Sequence, residues 1–271
     1  RISILIMASG SGGGVSNAVQ SILSRTDYPD YEIHVLLGPA VPAAANDRLK
    51  ELQEETTLLH LERCAHKPSS EDLNRLARDA SGDFLLWLNE DALVLQSTWL
   101  DRLMATGQRK DVGVVGARLV DKNKSLLHAG VMPGIGSRGA GARMHVGLYI
   151  TSEGYMGRAQ LAQEVGAVPE LCMLVGKGLF DRVEGFEKAL LVDLYRDIDF
   201  CERIRAAGKQ VLWTPHVTLM YLGADGAIDG VLESEQQADR ETALLHERWL
   251  GQFAREPSYN RNLSLSRNDY V

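Results

Sequence analysis

The sequence changes abruptly from apolar to polar at Phe84-Leu85-Leu86-Trp87-Leu88-Asn89-Glu90-Asp91. The apolar run predicts a buried strand, and the three polar residues follow where that strand ends. In open α/β folds, ligands bind at the carboxyl ends of the parallel strands. Carboxylates at that edge typically hold Mg²⁺ or Mn²⁺ against a phosphorylated substrate, because these cations favour oxygen ligands. On this stretch alone, a polar turn after a strand explains the residues equally well.

A second acidic cluster lies far downstream, at Asp197-Ile198-Asp199. The spacing of residues 197–208 predicts a helix, and Gly208 is placed to end it. Asp197 is therefore expected at or near the helix start, where the helix dipole favours a carboxylate. The alternative interpretation is that Asp197 serves only as a helix cap.

Strands and helices alternate through the first half of the chain. The predicted strands are residues 2–7, 32–37, 58–61, 84–88 and 112–115, and the predicted helices are residues 16–24, 46–55, 71–80 and 98–106. This alternation predicts an α/β fold with a mostly parallel, doubly wound sheet and helices on both faces. From Leu119 onward the alternation weakens. Residues 165–175 and 211–222 are expected to be strands of mixed direction, and residues 234–253 a final helix outside the sheet.

Composition limits the class of protein. The chain has 271 residues, of which 45% are hydrophobic and 24% charged, so it can bury one sizeable core. Its formal charge of −7 argues against a nucleic-acid partner, because phosphate backbones are bound by basic surfaces. No apolar stretch reaches the length of a membrane span, and no signal peptide is visible. The cysteines show no metal spacing, and we interpret them as small buried residues of a reducing compartment: Cys64, Cys172 and Cys201.

The order of these motifs resembles the family-two inverting glycosyltransferases, in particular bacterial enzymes of surface-polysaccharide synthesis. The resemblance rests on the strand ending in Asn89-Glu90-Asp91, on the late acidic motif from Asp197 to Gly208, and on Val211-Leu212-Trp213-Thr214-Pro215 after it. It extends over nearly the whole chain.

The resemblance implies a single A-type glycosyltransferase domain with a Rossmann-like sheet over residues 1–225. Residues 1–118 would bind the nucleotide and residues 119–225 the acceptor, with a C-terminal helix and tail at 226–271. The implied donor is a nucleotide-diphospho-sugar, and the implied acceptor is a polysaccharide or a lipid-linked glycan. The expected location is the cytoplasm or the inner membrane face, with peripheral membrane association allowed. Since the chain enters a strand almost directly after Arg1, it is also expected to be either trimmed or one module of a longer polypeptide.

The same resemblance assigns roles to individual residues. Asp197 would be the general base, and Asp91 would hold a weakly bound divalent cation, Mg²⁺ or Mn²⁺. The remaining site residues belong either to the cofactor-binding set, Ala8, Ser9, Asn89 and Glu90, or to the acceptor or sugar pocket, Glu170, Cys172 and Asp199.

Four positions depart from the family pattern. Gly38 stands where an aspartate for the nucleoside is usual, Arg196 where an acid is common, and Glu170 where small residues line the sugar site. Tyr221 stands where a metal-binding histidine is expected, and His216 is a poor substitute because it lies on the opposite strand face. These departures keep a second hypothesis open, a degenerate glycosyltransferase module. A sugar nucleotidyltransferase is less favoured, because the first loop lacks the basic residues that would face a triphosphate.

Two glycine-rich segments remain. Residues 10–14 do not match the phosphate-loop or dinucleotide patterns, and we interpret them as a flexible loop beside the nucleotide or as an exposed turn. Residues 133–143 are expected to form a mobile lid whose arginines reach the diphosphate or acceptor, or else a disordered surface loop.

Overall fold

The computed structural model describes residues 1–10, 14–223, 235–260 and 262–266. The strands are β1 (Ile2–Ala8), β2 (Tyr31–Leu37), β3 (Leu59–Arg63), β4 (Phe84–Leu88), β5 (Ala92–Val94), β6 (Val112–Val120), β7 (Leu126–His128), β8 (Val131–Pro133), β9 (Gly141–Arg143), β10 (Gln163–Glu164), β11 (Cys172–Gly176) and β12 (Gln210–Tyr221). The helices are α1 (Gly14–Arg25), α2 (Ala43–Glu55), α3 (Ser70–Asp79), α4 (Trp99–Gly107), α5 (Lys177–Arg182), α6 (Asp193–Ala206) and α7 (Glu235–Phe253).

A ten-stranded sheet forms the centre of the protein, in the order β10-β12-β6-β11-β4-β1-β2-β3, with β5 beside β12 and β7 beside β6. β1 pairs in parallel with β2 and with β4, and β6 pairs in parallel with β12. β11 is inserted antiparallel between β4 and β6. The prediction of an α/β fold with a mostly parallel sheet is confirmed, including strands of mixed direction in the second half.

The sheet has an apolar layer on each face. Alternate residues of β1 point to opposite sides, so Ile4 and Ile6 join one core cluster and Leu5 the other. Helices α1, α2 and α4 contribute buried residues to the first cluster, and α3, α6 and α7 to the second. Helices therefore cover both faces, as predicted, and the carboxyl edge of β1 and β4 remains the open rim between them. None of the described helices is long and apolar enough to cross a bilayer.

The prediction of a disordered surface loop at residues 133–143 is wrong, and the alternative of a mobile lid stays a prediction. β8 pairs antiparallel with β9, and between them Ile135 and Ala140 are buried. Gly134 and Gly136 adopt φ values of 76° and 89°, so these glycines supply left-handed turn geometry. Arg138 forms an ion pair with Asp239 on α7 and does not line the open rim of the sheet.

Two further expectations need correction. Residues 165–171 are not a strand, because β10 ends at Glu164 and β11 begins at Cys172. The helix that carries Asp197 begins at Asp193, one turn earlier than expected, so Asp197 lies in its second turn. Leu194, Ile198 and Cys201 share one buried stripe, and this apolar spacing extends the helix towards its N-terminus.

Candidate active site

Glu90 and Asp91 follow β4 at the carboxyl edge of the sheet, but they have different partners. The backbone N–H and the hydroxyl of Ser9 donate to Glu90 Oε1 at 3.0 and 3.2 Å. Glu90 is buried, and burial together with the neighbouring Asp91 raises its pKa. Its carboxylate therefore holds the end of β1 against the end of β4. The Asp91 carboxylate accepts no hydrogen bond from the residues of β1. The backbone N–H of Asp91 donates to Asn89 Oδ1 at 2.9 Å.

Gly14, the first residue of α1, packs directly against Asp91. A Cβ at this position would overlap Asp91 Oδ1, so the start of α1 can approach the carboxylate only because residue 14 is glycine. The other central glycines of the loop, with Ser11, lie outside the described residues, so the choice between a flexible loop and an exposed turn stays open there.

Tyr221 lies beside Asp91, as the position of the missing histidine predicts. It pairs with Ala92 across β12 and β5, and its side chain is buried at the rim. Burial, with a further contribution from Asp91, raises the pKa of the Tyr221 phenol to about 12. The phenol is therefore neutral at physiological pH and offers a weak ligand to a cation. His216 is exposed and does not line this rim.

These residues open into a cleft of about 530 Å³ at the carboxyl edge of the sheet. A cavity of this size suits a small-molecule ligand. Its polar lining comes from the first half of the chain, Ser9, Asn17, Asn89, Glu90 and Asp91, and from the second half, Glu170, Asp193 and Tyr221.

The far wall of the cleft is built around a buried arginine. Arg196 is 3% exposed, and its Nη2 lies 2.6 Å from Glu170 Oε1 and 3.1 Å from Asp193 Oδ1. The guanidinium also packs over the Phe186 ring, 5.3 Å from its centroid. Glu170 and Arg196 thus form an ion pair with each other. They are two of the four positions that depart from the family pattern.

Asp197 lies behind this wall. It is 1% exposed and does not line the cleft, and its Oδ2 accepts the backbone N–H of Glu170 at 3.1 Å. Burial and the nearby Glu170 carboxylate raise the pKa of Asp197 well above its usual value. Asp91 and Asp197 therefore lie on the same side of the sheet, but only the first presents its carboxylate to the cavity.

Three other predicted site residues do not line the cleft. Ala8 is fully buried, and its carbonyl accepts the N–H of Gly38. Cys172 packs in the apolar core below the cleft, where burial raises the pKa of its thiol to about 12. The assignment of Asp199 to the sugar pocket is corrected: Asp199 is fully buried and accepts from Trp249 Nε1 on α7 at 2.9 Å.

The departure at Gly38 has a packing cause. A Cβ at Gly38 would lie 2.9 Å from Pro68 Cδ and 3.1 Å from the Ala8 carbonyl, so an aspartate does not fit without a backbone shift. Three cleft residues with polar side-chain atoms were not assigned from the sequence, Asn17, Trp87 and Asp193. Asp193 precedes Asp197 by one helical turn, and that i, i+4 spacing was the available signal for it.

A separate cluster of possible metal ligands lies on β2 and β3, where Glu32, His34 and His60 approach one another. Glu32 already accepts hydrogen bonds from Ser3 and from the backbone and hydroxyl of Ser81. These bonds lower the pKa of Glu32 to about 2 despite its burial. Its oxygens are thus committed to the fold, and the cluster is not part of the cleft.

Comparison with known proteins identifies the fold. The chain superposes on GalNAc-T7 in complex with UDP, GalNAc and Mn²⁺ with a TM-score of 0.71 and 14% identity, over 93% of this chain and 48% of that one. It superposes on Staphylococcus aureus TarS in complex with UDP-GlcNAc with a TM-score of 0.63 and 12% identity, over 91% and 66% of the two chains. The chain has the A-type glycosyltransferase fold.

Relatives in sequence are larger proteins. An uncharacterised protein of Sinorhizobium fredii, y4gI, is 31% identical over the whole chain, which spans 30% of its length. The O-antigen biosynthesis protein RfbC of Myxococcus xanthus is 26% identical over 99% of the chain, which spans 21% of its length. The chain therefore spans less than a third of either relative. No family model matches the chain.

Proposed function

We propose that this A-type fold is an inverting, nucleotide-sugar-dependent glycosyltransferase of family two. It would add a sugar to a polysaccharide or lipid-linked glycan acceptor. The observation that carries the proposal is Asp91: a carboxylate at the carboxyl edge of β4, beside Gly14 and Tyr221, in a cleft that can hold a small ligand. The name of one relative supports the acceptor class, since RfbC is an O-antigen biosynthesis protein. Location in the cytoplasm or at the inner membrane face stays a prediction.

The donor set in the cleft fits Mg²⁺ or Mn²⁺. Mg²⁺ is commonly bound through one or two carboxylates, with substrate phosphates and water as its other ligands. Asp91 would supply the carboxylate, while Glu90 is engaged by Ser9 and Tyr221 stays a neutral phenol. When bound, the cation would neutralise charge on the diphosphate leaving group. GalNAc-T7, with the same fold, carries UDP and Mn²⁺ together.

The chain's own residues would orient the reactants. Ser9 and Asn89 lie on the Asp91 side of the cleft, and we assign them to the donor nucleotide. Glu170 and Asp193 lie on the far wall, where the acceptor would enter. Holding donor and acceptor together supplies much of the rate enhancement, because a bimolecular step becomes effectively intramolecular. Asp197 as general base, the role implied by the family resemblance, stays a prediction.

Ligand-linked stability tests the proposal. Unfolding temperature would be measured with uridine, thymidine and guanosine diphosphates, each with and without Mn²⁺. A ligand at one hundred times its dissociation constant stabilises the folded state by about 2.7 kcal/mol, which corresponds to roughly 5–10 °C for a domain of this size. We expect one nucleotide to give such a shift and to need Mn²⁺ for most of it.

Asp91→Asn is the matched variant, since it keeps the size of the side chain and removes its charge. It should unfold at the wild-type temperature without ligand and lose the Mn²⁺-dependent shift. Release of nucleoside diphosphate from the corresponding nucleotide sugar would then measure turnover. Binding without any turnover would favour the degenerate-module hypothesis. No shift with any nucleotide would contradict the proposed transferase and would leave only a degenerate module with a structural role.

A further inference from the structure

The far wall of the cleft suggests a different proton acceptor from the one that the family resemblance implies. Because α6 begins at Asp193, Asp197 points below the cleft and Glu170 lies between it and the cavity. A general base must come within hydrogen-bond reach of the hydroxyl that it deprotonates. Glu170 and Asp193 line the cleft that would hold this hydroxyl, whereas Asp197 does not line it and is 1% exposed.

Glu170 has one oxygen engaged and one without a partner. Its Oε1 pairs with Arg196, while its Oε2 is buried and has no hydrogen-bond donor among the residues that the structure describes. Asp197 Oδ1 is unpaired in the same way, but Asp197 does not line the cleft. Trp87 also lines the cleft, and its Nε1 is a buried donor without an acceptor in that part of the chain. Buried polar atoms normally have partners. Two residues that line one cavity therefore each keep a polar atom that the described residues do not pair.

Arg196 fixes the orientation of Glu170. The guanidinium is buried against Phe186 and contacts Glu170 and Asp193 at once, so the Glu170 side chain cannot turn away without leaving a buried cation poorly paired. The backbone of Glu170 is held as well, because its N–H donates to Asp197 Oδ2. Both ends of residue 170 are therefore positioned from α6.

The geometry points to Glu170, oriented by Arg196, as the group that takes the proton from the acceptor hydroxyl; this rests on the proposed function. The hydroxyl oxygen forms the new bond to the anomeric carbon as its proton passes to the Glu170 carboxylate. The bond from that carbon to the diphosphate oxygen breaks, and its electron pair leaves with the diphosphate. Glu170 then releases the proton to solvent. Asp197 acts as a positioning residue for the Glu170 backbone.

Substitutions at positions 170 and 197 distinguish Glu170 from Asp197 as the general base. Glu170→Gln should lower kcat by roughly 10²–10⁴-fold, the usual effect of a positioned base, and leave the KM for the donor within about threefold of the wild type. Asp197→Asn keeps an oxygen that can accept the Glu170 N–H, so it should lower kcat by about tenfold or less. Asp111→Asn, a surface carboxylate paired with Arg109, is the control for mutation itself.

The pH dependence of kcat and rescue by formate distinguish a proton acceptor at position 170 from a residue that only supports the structure. The groups facing Glu170 are Arg196, Asp193 and Asp197, and burial raises the pKa of Glu170 despite Arg196. Wild-type kcat should therefore fall as pH drops through that raised pKa, and this limb should vanish in Glu170→Gln. In Glu170→Ala, added formate should restore part of the turnover.

Each outcome decides the assignment. Near-wild-type kcat in Glu170→Gln, or loss of turnover confined to Asp197→Asn or to Asp193→Asn, would overturn it and leave the glycosyltransferase proposal intact. If Glu170→Gln does not fold, Glu170→Asp keeps the ion pair and retracts the carboxylate by one methylene, and unchanged kcat there would equally overturn it. A wild type that neither binds a nucleotide nor releases one from a nucleotide sugar would refute the proposed function and this inference with it.

Discussion

Tyr221 determines which ligands the rim of the cleft offers to a cation. The side chain lies at the position where the family resemblance implies a histidine, next to Asp91. A phenol whose pKa is raised to about 12 stays protonated at neutral pH, whereas imidazole is a common metal ligand. A cation at this rim would therefore depend on Asp91 and on the phosphates of the nucleotide.

Tyr221→His should raise Mn²⁺ affinity in the absence of nucleotide by about tenfold or more, because it adds a neutral imidazole ligand beside Asp91. Calorimetric titration of Mn²⁺ into the free protein and into its nucleoside diphosphate complex would measure the change. In the wild type we expect weak binding to the free protein and tight binding to the complex. Tyr221→Phe is the control and should bind Mn²⁺ as the wild type does. Tight wild-type binding without nucleotide would contradict this account.

At the scale of elements, the sequence predicts well what depends on neighbours along the chain. The apolar strand followed by Asn89, Glu90 and Asp91 placed the cleft correctly, because strand period and strand end are local signals. The start of α6 was not predictable in this way. Its N-cap residue, Val192, offers no side-chain cap. The backbone N–H groups of Leu191 and Val192, which directly precede the helix, donate to Glu241 in a helix about 50 residues downstream.

The same non-local contact explains the misplaced role of Asp197. A helix that began near residue 197 would expose this carboxylate at its N-terminus. The extra turn, preceded by two residues that Glu241 of α7 holds, puts Asp193 there instead and moves Asp197 beneath Glu170. The 133–143 hairpin escaped prediction for a similar reason, since its buried Ile135 and its contact with α7 depend on tertiary packing.

Glu241→Ala should destabilise the protein by about 2 kcal/mol, because it leaves the backbone N–H groups of Leu191 and Val192 without their acceptor. The loss should be measured as the free energy of unfolding in urea. Glu247→Ala, an exposed glutamate on the same helix, is the matched control and should change stability by less than about 0.5 kcal/mol. Equal free energies of unfolding for the two variants would show that the hydrogen bonds from Leu191 and Val192 to Glu241 do not stabilise the protein.

At the scale of the whole molecule, the cleft belongs to one continuous sheet. The proposed division at residue 118 falls inside β6, and the two sides of the cleft come from strands and loops on either side of it. β4 from the first part pairs directly with β11 from the second. Residues 1–118 and 119–225 are therefore not separate folding units. The division only separates the wall that would face the nucleotide from the wall that would face the acceptor.

The C-terminal segment, 226–271, is also expected to be required for folding. Leu245 and Phe253 of α7 are buried against the second core cluster, and Trp249 donates to Asp199, which is fully buried on α6. Loss of buried Leu and Phe side chains costs about 2–5 kcal/mol each, against a total stability of about 5–15 kcal/mol for a typical domain. Removal of the segment would also leave Asp199 without Trp249 and Arg248.

A chain shortened after residue 225 should therefore fail to unfold cooperatively, or unfold at a much lower temperature, when followed by circular dichroism. A chain shortened after Ser266 keeps α7 and the contact of Tyr259 with Ser264, and it should unfold like the full-length protein. Because Glu241 of α7 holds the two residues before the helix that carries Asp193 and Arg196, the shorter chain should lose nucleotide-sugar turnover together with its fold. Cooperative unfolding and nucleotide binding by residues 1–225 alone would show instead that the C-terminal helix is an appendage of an independent domain.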